Sequence, residues 1–529
     1  MKIRSIAQAL AAAGLAALTL TAPVKAADKA PQEIIRGNCL SCHTEKDGHF
    51  SRISDQRKTP EGWLMTLARM QIMHGLKLEA DDRRALVKYL ADTQGLAPSE
   101  TEGARYALER RLNTMESFES EKFTQMCARC HSGARVMLQR RPASEWEHLV
   151  HFHLGQWPTT EYQALARDRD WFELALAEMV PALAKDFPLE SDAWTHWKTA
   201  APAKIAGGWT LSGKLPGKGG FTGAMQLKPA DAKDEYLLTL EGRYDDGTPL
   251  KGAGQVLIYT GYEWRGSLTV DGVAMRQVFA LAGDTLSGRM FESENDEVGA
   301  DVVAARQDSA TSHVLGVHPA FIKAGTEANL TIVGTGLKGK PTLPKGVSLV
   351  KVVEESSDRM VLRVRADADA RGVHPFKVGT AEGGTLALYD KVAAVKVVPD
   401  YNIARVGGNG GSTPPVQGRF EAEAWAAGPD GLANTEDDYR IGIMPAVWSV
   451  EPFNEVAAED GDVKFSGVMD AKSGIFSPAG AGPNPERRMT TNNAGNLTVV
   501  AELSDGDAKV KGQGQMIVTI QRWNNPPIP

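Results

Sequence analysis

Two periodicities divide this chain near residue 200. Before it, apolar side chains recur at spacings that lay a single stripe along a helix of 3.6 residues per turn. Trp63, Leu67, Met70 and His74 stand at offsets of 0, 4, 7 and 11, and Trp146, Val150, His153 and Trp157 repeat them. Thr59-Pro60-Glu61 reads as the start of the first of these helices, with Thr as N-cap and Pro at the first helical position. Leu86, Val87, Tyr89 and Leu90 predict a further helix stopped by Gly95, and Trp171 to Leu183 predicts a less regular counterpart after the second stripe.

Beyond residue 200 the pattern shortens to alternation, and Gly, Val and Thr take over. Tyr236 to Tyr244 and Gln255 to Leu268 predict strands separated by the turn Asp245-Asp246-Gly247. Further on, Val317-His318-Pro319, Ala324-Gly325 and the strand Leu330-Thr331-Ile332-Val333-Gly334 suit an immunoglobulin-like sandwich. Gly407-Gly408-Asn409-Gly410-Gly411 reads as part of a linker into a last β domain.

The cysteines bring in chemistry. CXXCH occurs twice, as Cys39-Leu40-Ser41-Cys42-His43 and Cys127-Ala128-Arg129-Cys130-His131, and these use all 4 cysteines of the chain. Two thiols at this spacing can add to the two vinyl groups of one porphyrin, and the adjacent histidine then reaches the iron. A zinc module does not fit, because each pair has its own histidine and the pairs lie too far apart in sequence. Two covalent c-type haems follow, with thioethers at Cys39, Cys42, Cys127 and Cys130 and with His43 and His131 as iron ligands. Superimposing Trp63 on Trp146 sets Met70 opposite His153, which predicts His43/Met70 and His131/His153 as the two axial pairs. His74 shares the first stripe and is the alternative to Met70. His148 and His151 fall off the second stripe, and Met65, Met73 and Met137 are further candidates. Thioether ligation raises a haem potential, so electrons would enter at the bis-His haem and leave from the His/Met haem.

The expected architecture is multidomain: an α-helical diheme cytochrome c domain at 27–195, a barrel-like β domain at 196–309, and immunoglobulin-like β domains at 310–400 and 401–529. Residues 1–26 read as a signal peptide: Lys2 and Arg4 precede an apolar run from Ile6 to Leu20, and Val24-Lys25-Ala26 has small residues at the cleavage positions. The run is short for a bilayer, no other stretch approaches a membrane span, and the expected compartment is the periplasm. A net charge of -7 over 529 residues, without a long basic run, argues against nucleic acid. Asp430, Asn434, Glu436, Asp437 and Asp438 form an acidic loop that could hold calcium. His313, His318 and His374 lack a spaced set of partners and read as surface or packing residues. No nucleophile elbow, phosphate loop or dinucleotide fingerprint is present, and no catalytic residue is expected on this chain.

The signal, the paired haem motifs and three β domains in this order resemble the α subunit of quinohemoprotein amine dehydrogenase, over essentially the whole mature chain. The resemblance implies a periplasmic heterotrimer in which a small subunit carries a cysteine tryptophylquinone that oxidises primary amines, and a β-propeller subunit completes the complex. This chain would then pass electrons from the quinone through its haems to a soluble acceptor, a blue copper protein or a cytochrome c. Two alternatives use the same motifs: a diheme cytochrome c peroxidase-like enzyme, which needs an open iron position, and a stand-alone diheme carrier with β modules.

Overall fold

The computed structural model describes residues 29–111, 114–163, 166–167, 170–408, 414–487 and 492–520. The signal peptide expected over 1–26 and part of the 407–411 glycine loop lie outside these residues.

Eight antiparallel strands from Gly207–Leu215 to Gly299–Arg306 pair in sequence order. The last strand returns to the first, with Arg306 opposite Trp209, so the barrel closes and leaves no free edge. Inward positions carry Trp209, Phe221, Met225, Leu240, Trp264, Phe279 and Met290, which fill the interior as one core. Trp209 and Trp264 meet edge to face at 6.4 Å, and the Trp264 indole donates to Gln277 at 3.0 Å. An eight-stranded barrel is narrow enough for side chains alone to fill it.

The stretch Gln255 to Leu268, expected as one strand, is two, Pro249–Tyr259 and Glu263–Val270. The chain reverses at Thr260 (φ 55°) and Gly261 (φ 76°). Positive φ is costly for a β-branched residue, and local sequence gives no warning of it. Tertiary contacts hold Thr260 there: its amide donates to Asp92, its hydroxyl to the Ala91 carbonyl, and its own carbonyl accepts from the Trp197 indole. This hairpin tip docks the barrel onto the haem-motif region. Gly95 lies beneath it, and a Cβ there would meet Ala91 O at 2.2 Å and Thr260 Oγ1 at 2.6 Å.

The expectation of an α-helical cytochrome domain followed by a barrel and two immunoglobulin-like sandwiches is corrected. Strands take up 42% of the molecule and helix 23%, and the haem-motif region is not a clean helical domain. Its longer helices, Pro60–His74, Ala80–Thr93 and Ala143–Gln156, are interleaved with four-residue helices and with paired two-residue strands. Pro98 and Pro158 start short segments, and Pro181 lies in a segment that follows a π turn at Ala175–Met179. Prolines at this frequency keep helices short. Past the barrel, the strands from His313 to Tyr389 form one eight-stranded mixed sheet. Parallel pairing of His313 with Glu382, and of Phe321–Lys323 with Ala387 to Tyr389, joins strands that a sandwich would keep in two layers. Ala394–Val398 pairs with Glu421–Ala426 and shares a core with Phe420, Trp448, Phe476 and Met516.

His318 has partners that the sequence did not reveal. Its Nε2 lies 2.8 Å from Ser212 Oγ and its Nδ1 3.4 Å from Asp245, which clamps the third unit to the barrel. The arrangement has the atoms of a hydrolytic triad, but Ser212 is a buried strand residue between packed units. Among the described residues no helix is long and apolar enough to cross a membrane.

Candidate functional site

Helix Pro31–Asn38 runs into the first motif, where the Cys42 and His43 amides both donate to the Cys39 carbonyl at 3.1 and 3.0 Å. The motif is thus wound as a turn that carries both sulfurs and the imidazole. His43 Nδ1 lies 2.8 Å from the Ser51 carbonyl, so it carries the proton and leaves Nε2 as the metal-binding atom. Cys39 packs with Ile34, Ile35, Trp63, Leu67, Leu86 and Leu90, and burial raises its thiol above the ordinary range. Cys42 is exposed.

The second motif repeats the plan. Ser120 caps Glu121–Cys127 by accepting from the Phe123 amide at 3.1 Å. Cys127 packs with Phe123, Trp146, Val150 and Trp171 while Cys130 is exposed. Burial pushes the Cys127 thiol up to about 12.

His131 and His153 are brought together. Their ring centres are 6.5 Å apart with planes inclined at 47°. The His131 Nδ1 faces the Ser132 carbonyl at 2.9 Å and the His153 Nδ1 faces the Leu149 carbonyl at 2.8 Å. Both Nε2 atoms are thereby left as lone-pair donors. These two imidazoles would be the residues to hold a haem iron between them. Burial, with the Arg135 guanidinium nearby, holds His131 down to about 4, and burial lowers His153 likewise. His148, bonded to Glu145 at 2.8 Å, and His151 are about half exposed.

Both motif thiols, both imidazoles, Trp146 and Trp171 line one cavity of about 430 Å³, within the range of cofactor pockets. Among the described residues, the buried indole nitrogen of Trp146 and hydroxyl of Thr160 in its lining have no hydrogen-bond partner. Apolar walls, attachment thiols, neutral imidazoles and stranded donors fit a haem with polar substituents.

Helix Pro60–His74 is the wall between the two motifs. Trp63, Leu64 and Leu67 enter the core that holds Cys39, while Met65, Thr66 and Arg69 line the second cavity. Met65 thus belongs to the second site, its sulfur accepting from Arg135 at 3.0 Å. The stripe in the sequence showed only one face of this helix. Met70 is half-buried and its carbonyl accepts from Leu76 at 3.0 Å in the turn that ends the helix. His74, the last helical residue, and Met73 are exposed. Met137 is half-buried against Trp171's core.

The acidic loop spends its carboxylates on itself. Asp438 accepts from the Asn434 amide at 2.7 Å, Asp430 from the Leu432 amide at 2.8 Å, and Asp437 from the Thr435 hydroxyl at 2.9 Å. Among the described residues no group of three His, Cys, Asp or Glu side chains is placed to hold a metal ion.

Four family models match in succession. Residues 29–194 match the quinohemoprotein amine dehydrogenase alpha-subunit haem-binding family, and 202–307, 311–390 and 395–528 match its domains II, III and IV. The chain belongs to the quinohemoprotein amine dehydrogenase alpha-subunit family. It is therefore a subunit of an amine dehydrogenase, and the cavity described above lies in the haem-binding part of that family's alpha subunit. No curated protein matches it. Among solved structures, a redesigned beta barrel, mFAP0, bound to DFHBI is 17% identical, with 19% of this chain and 98% of that chain covered and a TM-score of 0.18. Drosophila N-cadherin EC1-3 is 9% identical over 55% of this chain and 91% of that one, with a TM-score of 0.20. A Bacteroides ovatus glucan-utilisation protein, SGBP-B, is 10% identical over 61% and 66%, with a TM-score of 0.19. At these scores nothing further rests on the structural likenesses.

Proposed function

We propose that this alpha subunit holds two covalent c-type haems, His43/Met70 and His131/His153, and relays electrons in the periplasm. The electrons come from a cysteine tryptophylquinone on a small partner subunit that oxidises primary amines, with a β-propeller subunit completing the heterotrimer. They leave to a soluble blue copper protein or cytochrome c. The observation that carries this reading is the facing pair His131 and His153, 6.5 Å apart beside the second cysteine pair.

Haem supplies one-electron chemistry when bound. The protein supplies the rest. Ser51, Ser132 and Leu149 carbonyls each hold a proton on an Nδ1 and so aim an Nε2 inward. Cys39, Cys42, Cys127 and Cys130 supply the thioethers that fix each macrocycle. Trp63 and Trp146, 2% and 1% exposed, exclude water from either side. Half-buried Met70 suits the first iron better than exposed His74. With His43/Met70 and His131/His153 holding them, the haems would supply electron transfer, and amine chemistry would belong to the partner. The shared helix Pro60–His74 stands between the two sites. On ligand type alone a haem held by His131 and His153 would have the lower potential.

Intact mass and electron paramagnetic resonance of the native complex test the reading. The expected result is two haems of added mass, one lost in Cys39→Ser/Cys42→Ser and the other in Cys127→Ser/Cys130→Ser, with both irons low-spin. A high-spin iron that binds cyanide at once would contradict it and favour a peroxidase.

A further inference from the structure

The wall of the second cavity has more positive charge than its carboxylates answer. Arg69 and Arg135 line it without a carboxylate partner among the described residues: Arg69 lies over the Phe152 ring at 4.7 Å, and Arg135 donates to the Met65 sulfur. Lys58 is also in this wall, with its ammonium on the Thr66 hydroxyl at 2.6 Å. Arg141, adjacent to them, shares Glu145 with Arg52 and His148. The carboxylate of Glu61, which also borders the cavity, is held by Arg265 at 2.6 Å. Cations gathered in a low-dielectric wall repel one another and are costly unless an anion sits among them.

Two stranded donors border the same cavity. Trp146 is 1% exposed, and among the described residues its indole N–H has no acceptor and the buried Thr160 hydroxyl has no partner. Trp63, which occupies the matching stripe position at the first site, donates its N–H to the Gln94 carbonyl at 3.1 Å. The vacancy is therefore peculiar to the second site. Native proteins almost always satisfy such donors, so an acceptor belongs here.

We propose that this wall is the propionate subsite of the second haem, with the Trp146 indole and Thr160 hydroxyl donating to its carboxylates and Arg69 and Arg135 balancing their charge. This rests on the two-haem reading above. Haem carries two carboxylates, and their demand for both charge and hydrogen bonds matches two unpaired guanidiniums and two unpaired donors. The cations also favour arrival of an electron at the iron. The second haem consequently lies at a higher potential than bis-imidazole ligation alone would give, and the step between the two haems is shallower.

Potentiometric titration of the native complex, followed at the haem bands, tests the subsite. Two-haem mass and a low-spin bis-imidazole signal are established first in each variant, and their absence would count against the haem assignment itself. Where they hold, Arg69→Gln, Arg135→Gln and Trp146→Phe should each shift the second haem to a more negative midpoint and leave the first unmoved. Arg69→Lys and Arg135→Lys should stay near the parent value. Trp146→Phe keeps an aromatic ring at the site, so it serves if an arginine variant does not accumulate, and it should also move the carboxylate bands in the redox infrared difference spectrum. Midpoints unchanged in the Gln and Phe variants, or carboxylate bands unaltered in Trp146→Phe, would overturn the proposal.

Discussion

Glu100→Gln should cost the folded protein about 3 kcal/mol at pH 7. Glu100 lies where the two haem segments are tied together. Arg57 stands directly opposite Arg140 in a short antiparallel ladder, a juxtaposition of like charges that is unfavourable by itself. Glu100 takes Arg57 in two hydrogen bonds of 2.8 and 2.9 Å, Arg140 at 3.1 Å, the Ala97 amide at 2.8 Å and the Ser191 hydroxyl at 2.8 Å. Burial alone would raise its pKa, but these bonds and the two guanidiniums bring it from 4.5 down to about 2. At about 1.36 kcal/mol per pKa unit that drop amounts to about 3 kcal/mol. The side chain is 6% exposed and its partners 4% and 8%, so little is lost to solvent screening. The contribution is that of a depressed carboxylate: fully present above 4.5 and lost as the pH falls towards 2. Parent and variant should therefore differ by about 3 kcal/mol at pH 7 and by about 1 to 2 kcal/mol at pH 3. Denaturant melts of the holo-protein, followed by tryptophan fluorescence at both pH values, measure this. A cost below about 1 kcal/mol at pH 7, or a gap that does not narrow at pH 3, would refute the reasoning.

His153→Ala should open the second iron, giving a high-spin signal and cyanide binding, whereas His148→Ala and His151→Ala should leave the spectrum low-spin. Met70→Ala should do the same at the first iron while His74→Ala does not, and equal effects of the two would remove the Met70 assignment. Thr260→Ala deletes a buried hydroxyl bonded to the Ala91 carbonyl at 2.9 Å. It should cost about 1 to 2 kcal/mol in a thermal or denaturant melt, since it strands a buried acceptor at the contact between barrel and haem region.

Local chemistry was legible in the sequence where one short segment contains it. CXXCH by its spacing led to the expectation of covalent haem, and the Trp146, Val150, His153 stripe led to a histidine that the fold sets opposite His131. The rest depends on contacts between distant segments. Nothing near Thr260 announces a turn, because the groups that hold its positive φ are Ala91, Asp92 and Trp197. The other face of Pro60–His74 was invisible for a related reason: Met65 and Arg69 look like solvent positions on a helical wheel, yet the second CXXCH segment packs there. The helical cytochrome expected for the first region failed because a stripe reports the helices that exist and not the hairpins, ladders and proline breaks between them. The sandwich expected for 310–400 failed on parallel strand pairing between distant segments, which alternation along a strand does not encode.

The central claim is that this subunit's haems receive electrons from amine oxidation elsewhere in the complex. The direct test is anaerobic addition of a primary amine to the intact purified complex, with the haem absorption recorded in time. Reduction of both haems, abolished for the second site in Cys127→Ser/Cys130→Ser, is the predicted result. Haems that remain oxidised in the intact complex after amine is added would contradict the account.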